Sequence, residues 1–290
     1  MLFVRLPNGG TFPPGFTHSR HLRRASPRGA NNHACQLGDI DMNTHRFAVA
    51  ALLAASCAFT VSADPLPANI AAAEKDPARA EQAKADAVRH GPEILAFAGV
   101  QTGAKVVDLI PGGGYWTGLL SASVGAGGHV YAVWPAEYVK VDGDEVTPYR
   151  ELAAKYANVS VLDQPAAGFA APEKVDLVFT AQNYHDYPDK FMGPTDPAVL
   201  NKAVFAALKP GGIYLIVDHV AQSGSGLRDT DTLHRIDPAT VKSQVTAAGF
   251  AFVGESKLLD NPADDHTKKV FDKSVQGHTD QFIYKFRKPG

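Results

Sequence analysis

The chain has 290 residues, of which 45% are hydrophobic and 20% are charged, and its formal net charge is −2. This size and composition are typical of one globular domain with additional N-terminal sequence. A charge so close to neutral gives no electrostatic footprint for nucleic acid, so we expect no nucleic-acid partner.

The N-terminal sequence differs from the rest of the chain. Residues 1–41 are rich in Arg, Gly and Pro without periodicity, which predicts a disordered segment or one assigned upstream of the true start. Met42 begins a short positive stretch, and the apolar run 47–61 follows it. Small residues precede Pro65, so residues 42–63 are typical of a secretory signal peptide, which predicts a periplasmic or secreted protein. The run of about 15 residues is short for a membrane span, which needs roughly 20, and a buried helix is the alternative.

The two cysteines, Cys35 and Cys57, both lie in or before this signal. A mature chain that begins at Asp64 would contain none, which excludes disulfides and thiolate metal sites. Lipidation at Cys57 is an alternative to simple secretion, although Leu53 is one position too far upstream for a good lipobox. After signal cleavage we expect no stable membrane span.

Residues 64–290 form the predicted domain, and its strands alternate with helices along the chain. The segment 64–103 is predicted to be a helical N-terminal extension, because much of it is rich in strong helix formers. Helices are predicted over residues 78–87, 93–97, 116–124, 145–157, 197–208 and 238–248. Strands are predicted over residues 106–110, 129–134, 159–162, 175–180, 213–217, 250–259 and 281–286.

The strands are short continuous apolar runs, which is typical of a parallel sheet buried on both faces. The pattern predicts an α/β fold, in which a doubly wound, mostly parallel sheet of seven strands carries helices on both faces. The last two strands have no helix between them and predict a C-terminal antiparallel hairpin. Ligands of such sheets bind at the carboxyl edge of the strands, near the point where the strand order reverses.

Three glycines after the first strand mark this edge as a ligand site. Asp108 lies at the end of the strand, and Gly112, Gly113 and Gly114 precede a helix. Glycines let the backbone approach a ligand without an intervening Cβ, and helix N-termini favour such ligands. A dinucleotide site would need a further glycine at Thr117, which excludes the NAD and FAD pattern, and the Walker lysine is also missing.

The order of motifs resembles that of the class I S-adenosyl-L-methionine (SAM)-dependent methyltransferases over residues 75–288. These motifs are Asp-x-x-x-Gly-x-Gly after the first strand, Leu-Lys-Pro-Gly-Gly before the fifth, and the terminal hairpin. Five blocks further resemble a bacterial group of predicted methyltransferases that often carry export signals. The blocks lie at residues 108–117, 183–186, 218–219, 233–237 and 279–289. The resemblance implies the fold and SAM as the cofactor, and it leaves the methyl acceptor open.

The resemblance also implies roles for individual residues. In the superfamily the glycine loop runs close to the methionine part of the cofactor. The acidic residue of the motif, here Asp108, helps to hold the ammonium group of that part. Ile110 occupies the position at which the loop motif of the superfamily commonly has its first glycine, and Trp134 occupies the position of the acid that usually binds the ribose. Glu137 is the candidate substitute for that acid, and Asp163 is placed to meet the adenine amino group. Losing one charged hydrogen bond to the ribose would cost about 1.5–3 kcal/mol of binding.

Four aromatic residues near the strand ends could offer ring faces to the positively charged sulfonium of the cofactor. They are Tyr115, Trp116, Trp134 and Tyr184. A cation over an aromatic face gains roughly 0.5–2 kcal/mol. We predict Tyr115 and Trp134 as cofactor contacts and Tyr184 as a substrate contact. The alternative is that these rings cover the end of the core, which is favoured for Trp116.

Polar residues that could carry the reaction follow the fourth and fifth strands and precede the last helix. Loops after neighbouring strands converge, so we expect these side chains to share one pocket. Methyl transfer to an alcohol or amine needs alignment and a base that takes a proton from the acceptor. The predicted catalytic residues are His219, His185 and Asp186. The predicted substrate contacts are Asn183, Tyr184, His234 and Arg235.

Structural roles stay open for several of these polar residues. Asp218 is the alternative to Asp186 for orienting an imidazole, and Arg235 is predicted to anchor an anionic acceptor. Asp237 can be the N-cap of the last helix, and lone histidines are more often structural than catalytic. Residues 264–266 are expected to form a solvated turn.

Three functions remain open on the sequence alone. A SAM-dependent methyltransferase with a small-molecule acceptor fits best. An exported binding or sensing protein with a degraded cofactor site is the second, because Trp134 replaces the ribose acid. A metal-assisted hydrolase would use His185, Asp186, His219 and His234, but the His-x-x-x-His spacing of helical zinc sites is absent, so we predict no metal site.

Overall fold

The computed structural model describes residues 65–290 of the chain. The predictions for residues 1–41, for the signal peptide at 42–63 and for lipidation at Cys57 lie outside the described residues. Within residues 65–290, none of the helices combines the length and the apolar composition that crossing a membrane requires.

The described chain is built on one sheet of seven strands in the order β3-β2-β1-β4-β5-β7-β6. The strands are β1 Lys105–Leu109, β2 His129–Pro135, β3 Val159–Gln164, β4 Val175–Ala181, β5 Leu208–His219, β6 Ala251–Ser256 and β7 Gln281–Arg287. The first five strands pair in parallel, and β7 lies antiparallel between β5 and β6. The predicted α/β fold, with its mostly parallel sheet and antiparallel C-terminal hairpin, is confirmed.

Two separate apolar cores cover the two faces of this sheet, which explains why its strands are continuously apolar. Successive residues of a strand point to opposite faces. In β1, Val107 and Leu109 join one core, whereas Val106 joins the other. In β4, Val178 lies in the first core and Phe179 in the second. With both faces covered, polar chemistry is left to the ends of the strands.

Ten helices flank the described sheet. The N-terminal extension contains α1 Ala68–Glu74, α2 Ala80–Ala83, α3 Asp86–Arg89 and α4 Gly91–Ala98. The remaining helices are α5 Tyr115–Val124, α6 Ala136–Val141, α7 Gly143–Ala153, α8 Pro197–Ala207, α9 Thr230–Leu233 and α10 Pro238–Ala247. Asp237 caps α10 by accepting a 2.9 Å hydrogen bond from the Ala239 N–H, so the N-cap alternative for this residue is confirmed.

The start of β5 differs from the prediction. The sequence predicted the fifth strand over residues 213–217, after the Lys-Pro-Gly-Gly run, but β5 begins at Leu208. The Gly211 N–H donates to the Lys288 carbonyl, and the Lys288 N–H donates to the Gly212 carbonyl, both at 2.9 Å. Pairing with the C-terminal tail therefore extends the strand through the turn, and this pairing is non-local and invisible in a local sequence pattern.

A buried ion pair connects the N-terminal extension with the start of α5. The Arg79 side chain is fully buried and donates to both carboxylate oxygens of Asp86, at 2.9 and 2.7 Å. The Tyr115 hydroxyl donates to the same carboxylate at 2.8 Å. A Cβ on Gly91 would lie 2.2 Å from the Tyr115 hydroxyl oxygen, so the glycine permits this close approach. These contacts hold the extension against the domain.

Replacing Asp86 by alanine should lower the free energy of unfolding by about 3–5 kcal/mol, because the buried Arg79 guanidinium loses its charge partner. Chemical denaturation followed by circular dichroism measures the change. The matched control is Glu81→Ala, which breaks the exposed pair between Glu81 and Lys84 and should have no measurable effect. Equal stability of the two variants would contradict the role of the Arg79 pair.

Candidate functional site

The loop between β1 and α5 turns sharply and uses left-handed backbone at three positions. The φ angles are 52° at Ile110, 53° at Gly112 and 80° at Gly114. Left-handed backbone is ordinary for glycine but strained for a β-branched residue, and such strain persists only where neighbours fix it. The Ile110 N–H donates to the Val133 carbonyl at 2.9 Å, and the Asn183 amide donates to the Ile110 carbonyl at 2.9 Å. Asn183, a predicted substrate contact, therefore also fixes this loop.

The two last glycines of the loop have different surroundings. A Cβ on Gly114 would lie 2.4 Å from Leu152 Cδ2 and 3.5 Å from the Tyr149 ring, so Gly114 lets α7 pack closely. A Cβ on Gly113 would meet nothing within 4 Å. The backbone at Gly113 therefore faces open space, as a cradle for a ligand requires.

Asp108 lies beneath this loop with its carboxylate almost completely buried. One oxygen accepts a 2.7 Å hydrogen bond from the Thr117 hydroxyl, which lies 3.1 Å from the Tyr149 hydroxyl. The other oxygen accepts no hydrogen bond from a described residue. Burial raises the pKa of Asp108 to about 7, although the Thr117 hydrogen bond opposes this shift. A cation bound beside the carboxylate would compensate for its lost hydration.

Trp134, at the position of the missing ribose acid, and the candidates Glu137 for the ribose and Asp163 for the adenine differ in how far their polar atoms are already bonded. Trp134 is fully buried between the rings of Tyr138 and Tyr149, and its indole N–H has no hydrogen-bond partner among the described residues. One Glu137 oxygen accepts the Ala166 N–H at 2.9 Å. Asp163 binds Arg150 through both oxygens, at 2.5 and 2.6 Å, with its side chain 40% exposed. The Trp134 ring, predicted as a cofactor contact, thus lies in the core, and the second Glu137 oxygen is the uncommitted acceptor of this set.

Two predicted aromatic contacts lie in the core instead. The Tyr115 hydroxyl donates to Asp86, as described above, and its ring lies 5.0 Å from the Arg89 guanidinium. Tyr184 is fully buried, and its hydroxyl accepts from Asn201 at 2.8 Å and donates to Gln244 at 3.1 Å. Both rings stabilise helix contacts in this conformation, which corrects the expectation that they face a ligand.

The polar residues after β4 and β5 meet around one buried carboxylate, that of Asp218. It accepts the backbone N–H of His185 at 2.9 Å and that of His219 at 2.8 Å. The Nδ1 atom of His185 lies 2.7 Å from an Asp218 oxygen, and its Nε2 atom lies 3.1 Å from Asp186. Burial alone would lower the pKa of His185, but the charges and hydrogen bonds of Asp186 and Asp218 raise it well above its usual value.

His219 has the opposite character. Its Nδ1 atom is hydrogen-bonded to the Thr279 hydroxyl at 2.8 Å, and its Nε2 atom has no partner among the described residues. Burial lowers the pKa of His219 to about 3, although the Asp218 charge opposes this shift. Burial therefore favours the neutral form of His219, which has an available nitrogen, whereas the two carboxylates favour the protonated form of His185. Of the two predicted bases, the geometry favours His219.

His234 completes the cluster from the next loop of the chain. Its Nδ1 atom lies 3.4 Å from Nε2 of His185 and 3.7 Å from Asp186. Its ring packs against Phe271, with the centroids 5.0 Å apart. The His234 side chain is 22% exposed, so it connects the buried cluster with the surface. The structure thus brings the predicted residues His185, Asp186, His219 and His234 together.

Arg235 does not join this cluster. Its side chain is fully buried and donates to both oxygens of Asp264, at 3.1 and 2.9 Å. It also donates to the Lys268 and Val220 carbonyls, at 2.8 and 2.9 Å. The predicted role of Arg235 as an anchor for an anionic acceptor is therefore wrong, because protein groups already use its guanidinium. The expected solvated turn is corrected at Asp264, which is buried.

Sequence reasoning missed three residues that shape the site. Thr117 bonds Asp108, and Thr279 orients His219. Asp189 is buried, and burial raises its pKa to about 6, although its hydrogen bond from the Thr230 hydroxyl opposes this shift. The position of Asp189 in the Asp-Tyr-Pro-Asp run after His185 was a possible signal, but the contact that it makes is non-local.

A cavity of about 310 Å³ opens at the opposite, amino edge of the sheet. Its lining includes Ala104 and the ion pair between Asp176 and Lys209, whose charged atoms are 2.7 Å apart. None of the predicted site residues lines this cavity. It is therefore separate from the polar cluster at the carboxyl edge.

The fold is shared with solved structures of low sequence similarity. A SAM-dependent methyltransferase from Aquifex aeolicus has a TM-score of 0.51 and 19% identity, with 73% of this chain and 93% of that chain covered. The [4+2]-cyclase SpnF has a TM-score of 0.52 and 17% identity, with 74% of this chain and 85% of that chain covered. No protein-family model matches the sequence, and a search of curated proteins found no match. The chain therefore has the Rossmann-like fold of class I SAM-dependent methyltransferases, and its reaction has to be argued from the site.

Proposed function

We propose that the protein is a SAM-dependent methyltransferase that acts on a small-molecule acceptor. The observation that carries this proposal is the loop after β1, where Gly112 adopts left-handed backbone and Gly113 faces open space directly after the buried acid Asp108. A glycine cradle beside an acid at the carboxyl end of a central parallel strand suits a ligand that presents an ammonium group. The fold shared with SAM-dependent methyltransferases supports the same assignment.

Asp108, Gly112 and Gly113 would hold the methionine end of the cofactor. When bound, SAM supplies an electrophilic methyl group on a sulfonium. The unbonded oxygen of Asp108 would accept a hydrogen bond from the ammonium group, and the loop backbone would pass close to the ligand. At the adenosine end, the uncommitted oxygen of Glu137 replaces the missing acid at Trp134. Fewer polar contacts there imply weaker binding of the adenosine part.

His219 would act on the acceptor side as the general base. With the Nδ1–H of its neutral ring donating to the Thr279 hydroxyl, His219 would keep a lone pair on Nε2 that can take a proton from an alcohol or amine. A positioned base contributes about a hundred- to ten-thousandfold to the rate, and most when its pKa lies near the operating pH, so the pKa of about 3 places His219 at the lower end of this range. Because Asp186 and Asp218 favour the protonated form of His185, its proposed role in methyl transfer is to hold the cluster together rather than to accept a proton.

One observation favours a second candidate, an exported binding or sensing protein on the same fold. Trp134 is fully buried where the ribose acid is expected, and Asp163 is paired with Arg150. Calorimetry with SAM and S-adenosylhomocysteine separates the two candidates. Heat of binding at micromolar to millimolar ligand supports the methyltransferase, and its absence favours the second candidate.

We also propose that the protein is exported by the signal at residues 42–63. The support is the order of a short positive stretch, the apolar run 47–61 and small residues before Pro65. N-terminal sequencing of protein recovered from the periplasm or medium tests this proposal. A mature N-terminus upstream of Met42 would contradict it.

Asp108→Ala and Gly112→Val should each abolish the thermal shift that S-adenosylhomocysteine produces. The first removes the carboxylate for the ammonium group. The second places a β-branched side chain at a φ of 53°, which such residues avoid. The exposed Asp272→Ala variant is the control and should keep the shift. A full shift with Asp108→Ala would contradict the proposed cofactor site.

The isosteric variant Asp108→Asn tests the charge itself. Because the pKa of Asp108 is about 7, the ligand-free carboxyl must lose a proton at lower pH before it can hold an ammonium group. The affinity of the unmodified protein should therefore fall about tenfold for each pH unit below 7. Calorimetry on both sides of pH 7 should show this fall in the unmodified protein and a flat profile in Asp108→Asn.

His219→Ala should leave the thermal shift with S-adenosylhomocysteine intact and lower turnover by about a hundredfold, because only proton removal by a weak base is lost. Turnover is measured as S-adenosylhomocysteine released from SAM with an acceptor found by screening small alcohols and amines. His129→Ala truncates a histidine at the amino end of β2 and is the matched control. Loss of the thermal shift in His219→Ala would show that the division between cofactor and acceptor sides is wrong.

A further inference from the structure

The cluster at the carboxyl edge contains three donor atoms that converge on one point. They are Nε2 of His185, Oδ1 of Asp186 and Nδ1 of His234, and they come from the segment after β4 and from the end of α9. Their separations are 3.1, 3.4 and 3.7 Å. Two imidazoles and one carboxylate at these distances form a ligand set that the activity proposed above does not require.

We propose that His185, Asp186 and His234 bind a divalent transition-metal ion of the zinc type. Zinc binds imidazole nitrogen and carboxylate oxygen at about 2.0–2.2 Å, so two tetrahedral ligands lie roughly 3.3 Å apart. The three separations here bracket that value. An ion about 2 Å from each donor atom fits between them with little change in the side chains.

Asp218 supplies the outer contact that a metal-binding histidine normally has. Its carboxylate lies 2.7 Å from Nδ1 of His185, on the side of the ring away from the other two ligands. This contact places the Nδ1 proton toward the carboxylate and directs Nε2 toward the ion, which would replace the Nε2 proton that Asp186 and Asp218 favour in the ion-free protein. Asp218 is itself held by the N–H groups of His185 and His219, so the orientation is fixed from the backbone.

The segments that carry the ligands are also tied to each other. Asp189 accepts a 2.7 Å hydrogen bond from the Thr230 hydroxyl, and its N–H donates to the Asp186 carbonyl at 3.0 Å. Thr230 begins α9, and His234 follows the end of that helix with a φ of 55°. Non-glycine residues with such backbone are strained and cluster at functional sites. The geometry of the ligand set is therefore built into the fold rather than left to mobile side chains.

His219, which the sequence grouped with these ligands, lies outside the set. Its ring centroid is 6.1 Å from that of His185, and its Nδ1 atom is bonded to Thr279. Three protein ligands leave a fourth position for water or for an oxygen or nitrogen atom of a small molecule, as in catalytic zinc sites. The His234 side chain is 22% exposed, so the ligand set borders the surface.

The ligand types select the metal. Imidazole suits zinc, copper, nickel and iron, whereas magnesium and calcium prefer oxygen ligands. We therefore expect zinc and cobalt(II) to bind, and magnesium and calcium not to compete. This proposal goes beyond methyl transfer and does not depend on it, because the ligand set is complete without Asp108 or the glycine loop.

Calorimetry with ZnCl₂ on the full-length chain, purified without a polyhistidine tag and freed of metal by chelation, tests the site. One ion per chain should bind, and cobalt(II) should give the visible absorption of a four-coordinate complex. His234→Gly removes one ligand while suiting the left-handed backbone, and it should weaken zinc binding at least a hundredfold. Asp218→Asn should weaken it about ten- to a hundredfold.

His266→Gly is the matched control. His266 also has left-handed backbone (φ 61°), pairs with an aspartate, Asp280, at 2.9 Å and is 25% exposed, but it lies outside the ligand set. The His266→Gly variant should bind zinc as the unmodified chain does.

Circular dichroism confirms that each variant is folded. Absence of stoichiometric zinc or cobalt binding, equal binding by His234→Gly, or displacement of zinc by magnesium would each overturn the proposal. A missing thermal shift with S-adenosylhomocysteine would contradict the proposed methyltransferase but not the proposed zinc site.

Discussion

The carboxyl edge of this protein is organised by one buried carboxylate. Asp218 is the penultimate residue of β5, the longest strand of the sheet, and has no exposure to solvent; three N–H groups from His185 and His219 surround it. A buried carboxylate without such donors would be strongly destabilising. With them, it joins the segment after β4 to the end of β5 and sets the orientation of the His185 ring. The proposed base and the proposed metal ligands both depend on this one contact.

The sheet explains why the polar residues meet at all. β1, β4 and β5 run in parallel and in register, with Leu109 opposite Thr180 and Ala181 opposite Val217. Each strand therefore ends at the same level, and the segments that follow it emerge side by side. Because both faces of the sheet are covered by apolar cores, polar side chains can gather and pair with one another only at the strand ends.

The two halves of this edge differ in chemical character. Around the glycine loop, Asp108 is a buried acid with a raised pKa, Gly113 faces open space, and Ile110 is held in strained backbone by Asn183. Around Asp218, the charges are paired and the histidines are oriented. The first half suits a cation-bearing ligand, and the second suits proton transfer and metal coordination. A base and a ligand set thus lie next to each other without competing for the same atoms, because His219 is fixed through Thr279 rather than through Asp186.

The sequence by itself determined the fold class, the strands of the sheet and the edge at which polar residues collect. Alternation of apolar runs with helix-forming segments is a local signal, and the parallel arrangement follows from it. The sequence also pointed to Asp108, the glycines, His185, Asp186, His219 and His234, because each lies at a predicted strand end or in an adjoining loop.

Only the tertiary structure decided which of these side chains are available. Arg235 and Tyr184 have the chemistry of a binding site, but Asp264, Asn201 and Gln244 use their polar groups. These partners are 17 to 60 residues away along the chain. The same holds for the convergence of His234 on His185, across 49 residues, which a search for local ligand spacing could not find. Hydrogen-bond partners and donor distances arise from packing between distant segments, and for that reason a local pattern names the candidate residues but does not assign their roles.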